Sequence, residues 1–495
     1  MADAGHGTGG PQPGARTARP PGPAEPDPQR WRALVVCLIA GFMTLLDVSI
    51  VNVALPTVRA GLHMGQSGLQ WVVSGYALAF GLALVPAGRI GDARDRRSVF
   101  LFGLALFTAA SALAGAAQNE AWLIVARLVQ GFAGGIVVPQ VSGFIQTSFP
   151  GPERGRAFGM LGAVIGVSTA VGPLLGGLLI HVFGPQDGWR WVFLVNVPIG
   201  VAALPVAHHL LPARRPPPGG RRHSDLDPVG VLLLGTGTTA LLLPFVQEQW
   251  HGTARWLLVP AALGVLTAFV AWETRYGRSR EPLVSMDLFA RRSYAAGTLI
   301  SLAYFAGFTS VFFVFTLYLQ AGLHYSALAA GLAITPFALG SGAAAALGGR
   351  MVARHGRRLV AVGLATVLAG LAGAALAAHF GSGPAVGWAT AGPLLLAGIG
   401  SGLVIAPNVT VTLQEVPVAR AGSAGGVLQT AQRLGSAVGI AVVGSVFLSH
   451  AAGGPHAWST AFDTGIAVSA GFVLVSLTVA TADIRRGRRE PADRD

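Results

Sequence analysis

The stretch GRIGDARDRR, residues 88–97, is a short charged loop between two apolar runs, and it recurs later in the chain as GRMVARHGRR, residues 349–358. Four glycines repeat in the same order and spacing: Gly155, Gly159, Gly172 and Gly177 are matched by Gly422, Gly426, Gly439 and Gly444. The chain therefore carries two related halves. In membrane proteins built from such repeats, the substrate site lies between the halves, near the bilayer midplane.

The composition is typical of a polytopic membrane protein. Hydrophobic residues make up 52% of the 495 residues and charged residues only 11%, with a mean hydropathy of +0.58, whereas a soluble domain carries about a quarter charged residues. The net charge of +13 comes from 34 arginines without a lysine, and nearly all of them lie on one set of loops, as the positive-inside rule describes. The charge therefore reports topology, and no nucleic-acid partner is expected. Cys37 is the only cysteine, which excludes an intramolecular disulfide.

Apolar runs of about 20 residues can cross a bilayer as helices, and the chain contains fourteen predicted spans between residues 33 and 482. The expected fold is all-α, with two pseudo-symmetric six-helix halves and two additional central helices. The predicted units, in chain order, are a disordered cytoplasmic tail (1–32), a first half (33–211), a basic linker with two extra helices and a cytoplasmic loop (212–294), a second half (295–482) and a cytoplasmic tail (483–495).

Five motifs spread over about residues 30–485 resemble those of one family. LDVSIVNVALP (46–56) is similar to the first-helix signature of the drug:proton antiporter branch of the major facilitator superfamily. The loop at 88–97 resembles that branch's loop 2–3 signature, from which Ala93 and Asp95 depart. Three further stretches resemble the branch's signatures of helix 4, helix 5 and helix 6, respectively: LIVARLVQGFAGG (123–135), GAVIGVSTAVGPLLGG (162–177) and WRWVFLVNVPIG (189–200). The resemblance implies a fourteen-helix major facilitator fold and multidrug or antibiotic efflux.

Asp47 lies within the first apolar run, where a charge costs roughly 3 kcal/mol or more. At 1.5 Å per helical residue, Asp47 and Arg127 of the fourth run both fall in the outer half of the membrane, so a pair or a shared polar cavity is expected. One interpretation is that Asp47 couples transport to protons, with a role for Arg127 in proton transfer that the resemblance implies. The alternatives are a static ion pair between helices 1 and 4, or an Arg127 that anchors backbone carbonyls.

Three further groups of residues are candidates for functional roles. The resemblance implies a gating function for Gly88, Asp92, Arg96 and Arg97, for which the alternative is a solvated charge run that only sets topology. Close helix packing, which the resemblance associates with antiporters, is predicted for small residues of the fifth helix: Gly162, Gly166, Gly172, Pro173, Gly176 and Gly177. Candidates for lining a cavity are Asn52, Gln130, Gln429 and Arg433, with helix packing as the alternative for Asn52 and an interhelical hydrogen bond for Arg433.

The sequence thus predicts a proton-coupled secondary transporter that exports hydrophobic or amphipathic drugs or antibiotics by alternating access. It would be a multi-pass protein of a bacterial inner membrane with both termini cytoplasmic. The expected partners are the lipid bilayer, a drug-like small molecule and protons, while no cofactor, metal or enzymatic activity is expected; the oligomeric state stays open, and a monomer is compatible with the sequence. Well inside the membrane, the spans hold one acid, Asp47, and two bases, Arg127 and Arg433, which favours neutral, zwitterionic or anionic substrates over dications. The alternatives are a proton-coupled transporter of a metabolite or nutrient, and a membrane sensor without transport.

Overall fold

The computed structural model describes residues 29–212, 227–246, 253–280, 282–381, 383–451 and 457–487, which are helical almost throughout and contain no β-strand. Their α-helices are α1 (Arg30–Leu62), α2 (Gln66–Ala93), α3 (Arg96–Gly115), α4 (Glu120–Ser148), α5 (Gly151–Leu194), α6 (Asn196–Leu210), α7 (Pro228–Val246), α8 (Leu258–Tyr276), α9 (Asp287–Ala290), α10 (Arg292–Leu317), α11 (Ala327–His355), α12 (Arg357–Phe380), α13 (Val386–Ala389), α14 (Ala391–Leu413), α15 (Ala421–Ala451) and α16 (Ala457–Gly487). The predicted tails at 1–28 and 488–495 and most of the linker, 213–226, lie outside the described residues.

The number of spans differs from the fourteen that the sequence predicts. Within the described residues, twelve helices are long and apolar enough to cross a membrane, and a thirteenth is counted when the bent pair Gly151–Thr169 and Leu174–Gly184 is taken as one span. The remaining candidate is α7, whose apolar stretch Pro228–Leu241 is shorter. Fourteen helical residues reach about 21 Å, against a hydrocarbon core of about 30 Å. The fourteenth span therefore stays a prediction.

The helix ends follow local sequence signals. Asp95 accepts a hydrogen bond from the backbone N–H of Ser98 at the start of α3, and Asn119 accepts one from Trp122 at the start of α4. Such N-cap side chains satisfy backbone donors that the first helical turn leaves unpaired. The first helix continues through Pro56 to Leu62, because neighbouring helices can satisfy the backbone groups that a proline frees inside a membrane helix.

Helix α5 consists of two limbs that are joined at Gly184. The backbone there has φ of +86°, a left-handed conformation that glycine adopts without the steric cost of a side chain. The chain turns back at this point, so that a Cβ placed on Gly188 would lie 2.7 Å from the Cα of Ile180. The second limb then leads into α6, and together they form the span Gln186–Leu210.

The buried apolar residues form two large clusters. One is drawn mainly from α1 to α6, and the other from α10 to α16. The two groups of helices meet chiefly where α5 packs against α11 and where α2 packs against α15. Helices α7 and α8 pack on each other, and α7 lies beside α2 and α15. We refer to α1–α6 as the first bundle and to α10–α16 as the second, and to the side that carries the α2–α3 turn as the loop face.

Candidate functional site

Asp47 is fully buried in the middle of α1 and forms an ion pair with Arg127 of α4. The Nη1 atom of Arg127 lies 2.5 Å from Oδ2 of Asp47. Asp47 is 0% exposed and Arg127 is 1% exposed, so both charges have left water entirely. A buried charge is tolerated when it is paired and hydrogen-bonded. The structure thus brings together the two charges that the sequence assigns to the outer half of the membrane.

The second oxygen of Asp47 is also hydrogen-bonded. Its Oδ1 accepts from Nε2 of Gln130 at 2.8 Å and from Nδ2 of Asn196 at 3.1 Å. The same Gln130 nitrogen lies 2.8 Å from the hydroxyl of Ser111, and the Gln130 carbonyl accepts from Nη1 of Arg127 at 2.7 Å. Four helices, α1, α3, α4 and α6, therefore contribute to one buried polar network.

Arg127 is held from a further side by α2. Its Nε donates to the carbonyl oxygen of Val72 at 3.1 Å, and its guanidinium carbon lies 4.1 Å from the centre of the Tyr76 ring. The Tyr76 hydroxyl in turn donates to the carbonyl of Thr44 on α1. Such contacts fix the position of the guanidinium relative to Asp47.

Gln130 and Asn52, two of the predicted cavity-lining residues, do not line a common cavity surface. Gln130 is fully buried within the Asp47 network. Asn52 is exposed, and the one acceptor for its amide among the described residues is the carbonyl of Val48, one turn earlier on its own helix. Sequence reasoning missed Asn196 and Ser111. The signal for Asn196 was present, because it is the asparagine of the WRWVFLVNVPIG stretch, whereas a serine in an apolar helix gives no such signal.

Asp92 of the loop motif joins the two bundles. Its Oδ1 and Oδ2 accept hydrogen bonds, each of 2.8 Å, from the backbone N–H groups of Gly422 and Ser423 in the first turn of α15. Arg96 donates to Oδ1 of the same carboxylate at 2.5 Å. A carboxylate at a helix N-terminus satisfies unpaired N–H groups and interacts favourably with the helix dipole. Among the described contacts none joins Arg97 to this group.

Glycine contacts bring the backbones of the two bundles together at two places on the loop face. A Cβ on Gly88 would overlap the carbonyl of Gly422, and one on Gly422 would lie 2.6 Å from the carbonyl oxygen of Gly88. A Cβ on Gly155 would lie 2.5 Å from the carbonyl oxygen of Gly349, and one on Gly349 would overlap the carbonyl of Gly155. These are the repeated positions of the sequence, so each half contacts the other through equivalent glycines.

The small residues of α5 face two different neighbours. Gly162 and Gly166 lie against α11 and α14, since Cβ atoms there would be 2.9 Å from Ala406 and from the backbone nitrogen of Gly342. Gly172 and Gly176 instead lie against α1. A 40° bend between Thr169 and Leu174 divides the predicted seam. Gly177 has open space around it, and the side chain of Pro173 lies outside the described residues.

Gly172 and Gly177 provide a matched pair of substitutions in one helix. A Cβ on Gly172 would overlap the hydroxyl of Ser49, which bonds to the carbonyl of Ser168 at 3.0 Å, whereas one on Gly177 would meet nothing within 4 Å. Overpacking costs about 1–3 kcal/mol, while alanine favours a helix over glycine by up to about 1 kcal/mol. We expect Gly172→Ala to lower the apparent melting temperature of the purified protein and Gly177→Ala to leave it unchanged or raise it. Equal melting temperatures of the two variants would contradict this packing.

Arg433 and Gln429 lie one turn apart on α15, and both are half-buried. The guanidinium carbon of Arg433 lies 4.4 Å from the centre of the Phe80 ring on α2. Ser436, one turn further along α15, shares a 2.8 Å hydrogen bond with Thr309 of α10. These residues are therefore placed where α2 of the first bundle and α10 and α15 of the second bundle meet.

Known proteins are similar to this chain in sequence and in fold. The chain is 37% identical over 442 residues to a probable actinorhodin transporter of Streptomyces coelicolor, covering 88% of this chain and 75% of that protein. It is 38% identical over 436 residues to a cephamycin export protein of Amycolatopsis lactamdurans, covering 86% of each. The structure superimposes on that of the human organic anion transporter MFSD10 with a TM-score of 0.65 and 17% identity, covering 92% of this chain and all of the other, which supports the fold alone.

The family assignment follows from a match that spans most of the chain. The family model described as Major Facilitator Superfamily matches residues 37–440 and, in a second match, residues 296–493. The second match begins within α10, at the start of the second bundle. Together with the all-helical fold and the relatives above, these matches show that the chain belongs to the Major Facilitator Superfamily of membrane transporters.

Proposed function

We propose that this protein is a proton-coupled exporter of hydrophobic or amphipathic compounds. The observation that carries the proposal is the fully buried Asp47, held by Arg127, Gln130 and Asn196 inside a membrane-spanning helix. Ionisable groups at such depth are costly and usually belong to ion or proton pathways. Two relatives, 37% and 38% identical over the aligned residues, are named for the transport of actinorhodin and the export of cephamycin, and this supports export of a related kind of compound.

The network around Asp47 is suited to two protonation states. As a carboxylate, Asp47 accepts from Arg127, Gln130 and Asn196. A proton on Asp47 would remove the charge that pairs with Arg127 and would create a donor that needs an acceptor. The Oδ1 of Asn196 is buried and has no hydrogen-bond partner among the described residues, so rotation of this amide would supply that acceptor. Loading of the proton would thereby loosen the contact between α1 and α4 without leaving a buried O–H unpaired.

The proton would drive transport by changing the relative stability of two conformations. Only a difference in binding free energy between the two states allows a ligand to shift their equilibrium. Here the first bundle holds the Asp47 network, and the glycine contacts and Asp92 hold both bundles together on the loop face. We propose that residues 33–211 and 295–482 rock against each other about a site between them, and that Gly88, Asp92 and Arg96 stabilise the state closed on the loop face.

The arginines support a cytoplasmic position for the loop face. This face carries Arg96 at the start of α3, Arg292 at the start of α10, Arg357 at the start of α12 and Arg485 at the end of α16. Cytoplasmic loops concentrate arginine and lysine. We therefore propose that both termini are cytoplasmic, that α7 is the fourteenth span, and that the conformation described here is open to the outside.

The proposal is tested with inverted membrane vesicles that hold a measured proton gradient. We expect an exported compound to collapse the gradient in vesicles that contain the protein, because each molecule pumped into the lumen releases luminal protons. Vesicles without the protein serve as the control for passive leak. A nutrient symporter would instead acidify the lumen further or require the opposite gradient. Failure of a broad panel of amphipathic antibiotics and dyes to release protons would contradict proton-coupled export.

A further inference from the structure

Three buried or half-buried arginines differ in how their charge is neutralised. Arg127 is paired with Asp47, and Arg357 is paired with Asp483 at 3.1 Å. Arg433 lies about 18 Å along α15 from its first residue at 1.5 Å per residue, which is near the middle of the helix. No carboxylate of the described residues lies within 4 Å of its guanidinium. An arginine at this depth ordinarily faces a cavity or pairs with an opposite charge.

The contact that Arg433 does make leaves its hydrogen-bonding groups available. Its guanidinium carbon lies 4.4 Å from the centre of the Phe80 ring, a separation typical of a cation–π contact. Arginine carries five N–H donors around the edge of its planar group, and the described residues accept none of them. The residue is half-buried, and none of its guanidinium nitrogens is among the fully buried, unpartnered side-chain atoms of the described residues. A planar row of donors of this kind matches carboxylate, sulfonate and similar anionic groups.

The surroundings of Arg433 suit an amphipathic anion. Phe80, itself only 2% exposed, packs its ring against the guanidinium, and Gln429, half-buried one turn away on the same side of α15, contributes an amide. Tyr76 stacks on Phe80, with 6.0 Å between the ring centres, and Arg127 lies on the Tyr76 ring. The charge of Arg433 is therefore two aromatic rings away from the charge that pairs with Asp47.

We propose that Arg433 is the counter-ion for an anionic group on the transported compound. The substrate class is then an aromatic or otherwise hydrophobic molecule with one carboxylate, sulfonate or comparable anionic group. This assignment rests on the proposed export function and adds the chemical class of the substrate to it. The anionic group of the compound would bind where the two bundles meet, because the guanidinium of Arg433 in the second bundle lies against the Phe80 ring of the first.

The test uses two probes with the same ring system. 1-Anilinonaphthalene-8-sulfonate carries one anionic group, and N-phenyl-1-naphthylamine lacks it. Their binding to the purified protein in lipid nanodiscs is measured by fluorescence, with empty nanodiscs subtracted. We expect Arg433→Gln to weaken binding of the sulfonate by about tenfold or more, and Arg433→Lys to weaken it less, because lysine keeps the charge but loses the planar row of donors. Binding of the neutral probe should change by less than about threefold.

The control is Arg354→Gln, which removes an exposed arginine at the end of α11 and should leave both probes unaffected. Sulfonate binding that is absent in the wild type, or equal in Arg433→Gln and the wild type, would overturn the proposal. An equal loss of both probes in Arg433→Gln would also overturn it, since that result indicates a structural role. Proton release in vesicles is a separate measurement that tests the proposed export function. Its absence would contradict proton-coupled export, whereas the role of Arg433 is decided by the binding of the sulfonate.

Discussion

Asp47→Asn is expected to lower compound-dependent proton release by at least about tenfold. A coupling free energy of about 1–3 kcal/mol between proton binding and transport corresponds to an effect of about 5- to 150-fold. Asparagine has nearly the same shape as aspartate but cannot exchange a proton. It leaves Arg127 without its charged partner, which resembles the state that a protonated Asp47 would produce. The measurement is gradient collapse in inverted vesicles, alongside exchange of a labelled compound across the membrane without a gradient.

The exchange measurement separates the two interpretations of the buried pair. If Asp47 couples transport to protons, exchange should continue in Asp47→Asn while proton release is lost. If the pair is only a static link, removal of one partner costs about 3–5 kcal/mol of stability, and exchange should be lost together with proton release. Undiminished proton release would contradict a coupling role outright. Asp463→Asn is the matched control, because this acid lies on α16, partly exposed and beside His379.

A second comparison addresses the surroundings of Asp47. Asp47→Asn combined with Arg127→Gln removes both buried charges and should recover part of the stability that the single substitution loses, because an unpaired buried charge is removed. Proton release should remain absent in the double variant. Recovery of proton release without an acid at position 47 would show that another group carries the proton.

The Asp47–Arg127 pair is one of the two arrangements that the sequence left open, the other being a shared polar cavity, because helix direction and rise per residue placed both charges at similar depth. The rest of the network could not be read in the same way. Ser111 and Tyr76 reach it only because α2, α3 and α4 pack around α1, and no local pattern marks those positions. The turn at Gly184 was likewise hidden, since a glycine in an apolar stretch is equally consistent with helix packing and with a reversal of the chain.

The repeat identified the glycines at which the two bundles meet but did not reveal which of them contact each other. The sequence alignment relates Gly88 to Gly349 and Gly155 to Gly422. In the structure the contacts run between Gly88 and Gly422 and between Gly155 and Gly349. Each contact therefore joins one member of each repeat pair, as expected when two related halves face each other about an axis. Ala353 stands where the first repeat has Asp92. Of the two glycine contacts, the one at Gly88 is therefore accompanied by hydrogen bonds that a carboxylate accepts, and the one at Gly349 is not, within the described residues.

Gly88→Ala is expected to open the loop face, whereas Gly81→Ala, two turns earlier on α2, is its matched control. A Cβ at Gly88 would overlap the carbonyl of Gly422, while one at Gly81 would meet nothing within 4 Å. This clash exists only while α2 and α15 are in contact, so a cost of about 1–3 kcal/mol falls on the closed state alone. The population open to the loop face should then rise by about 5- to 150-fold.

The shift is measurable because Cys37 is the only cysteine and is buried in α1. In a Cys37→Ala background, Gln429→Cys places one reporter thiol between the bundles. A membrane-impermeant maleimide added to inverted vesicles reaches it only from the cytoplasmic face. We expect labelling to be about tenfold faster with Gly88→Ala than with Gly81→Ala, and proton release to fall, since every transport cycle must pass through the closed state. Equal labelling rates would mean that the contact between α2 and α15 does not control access from that face.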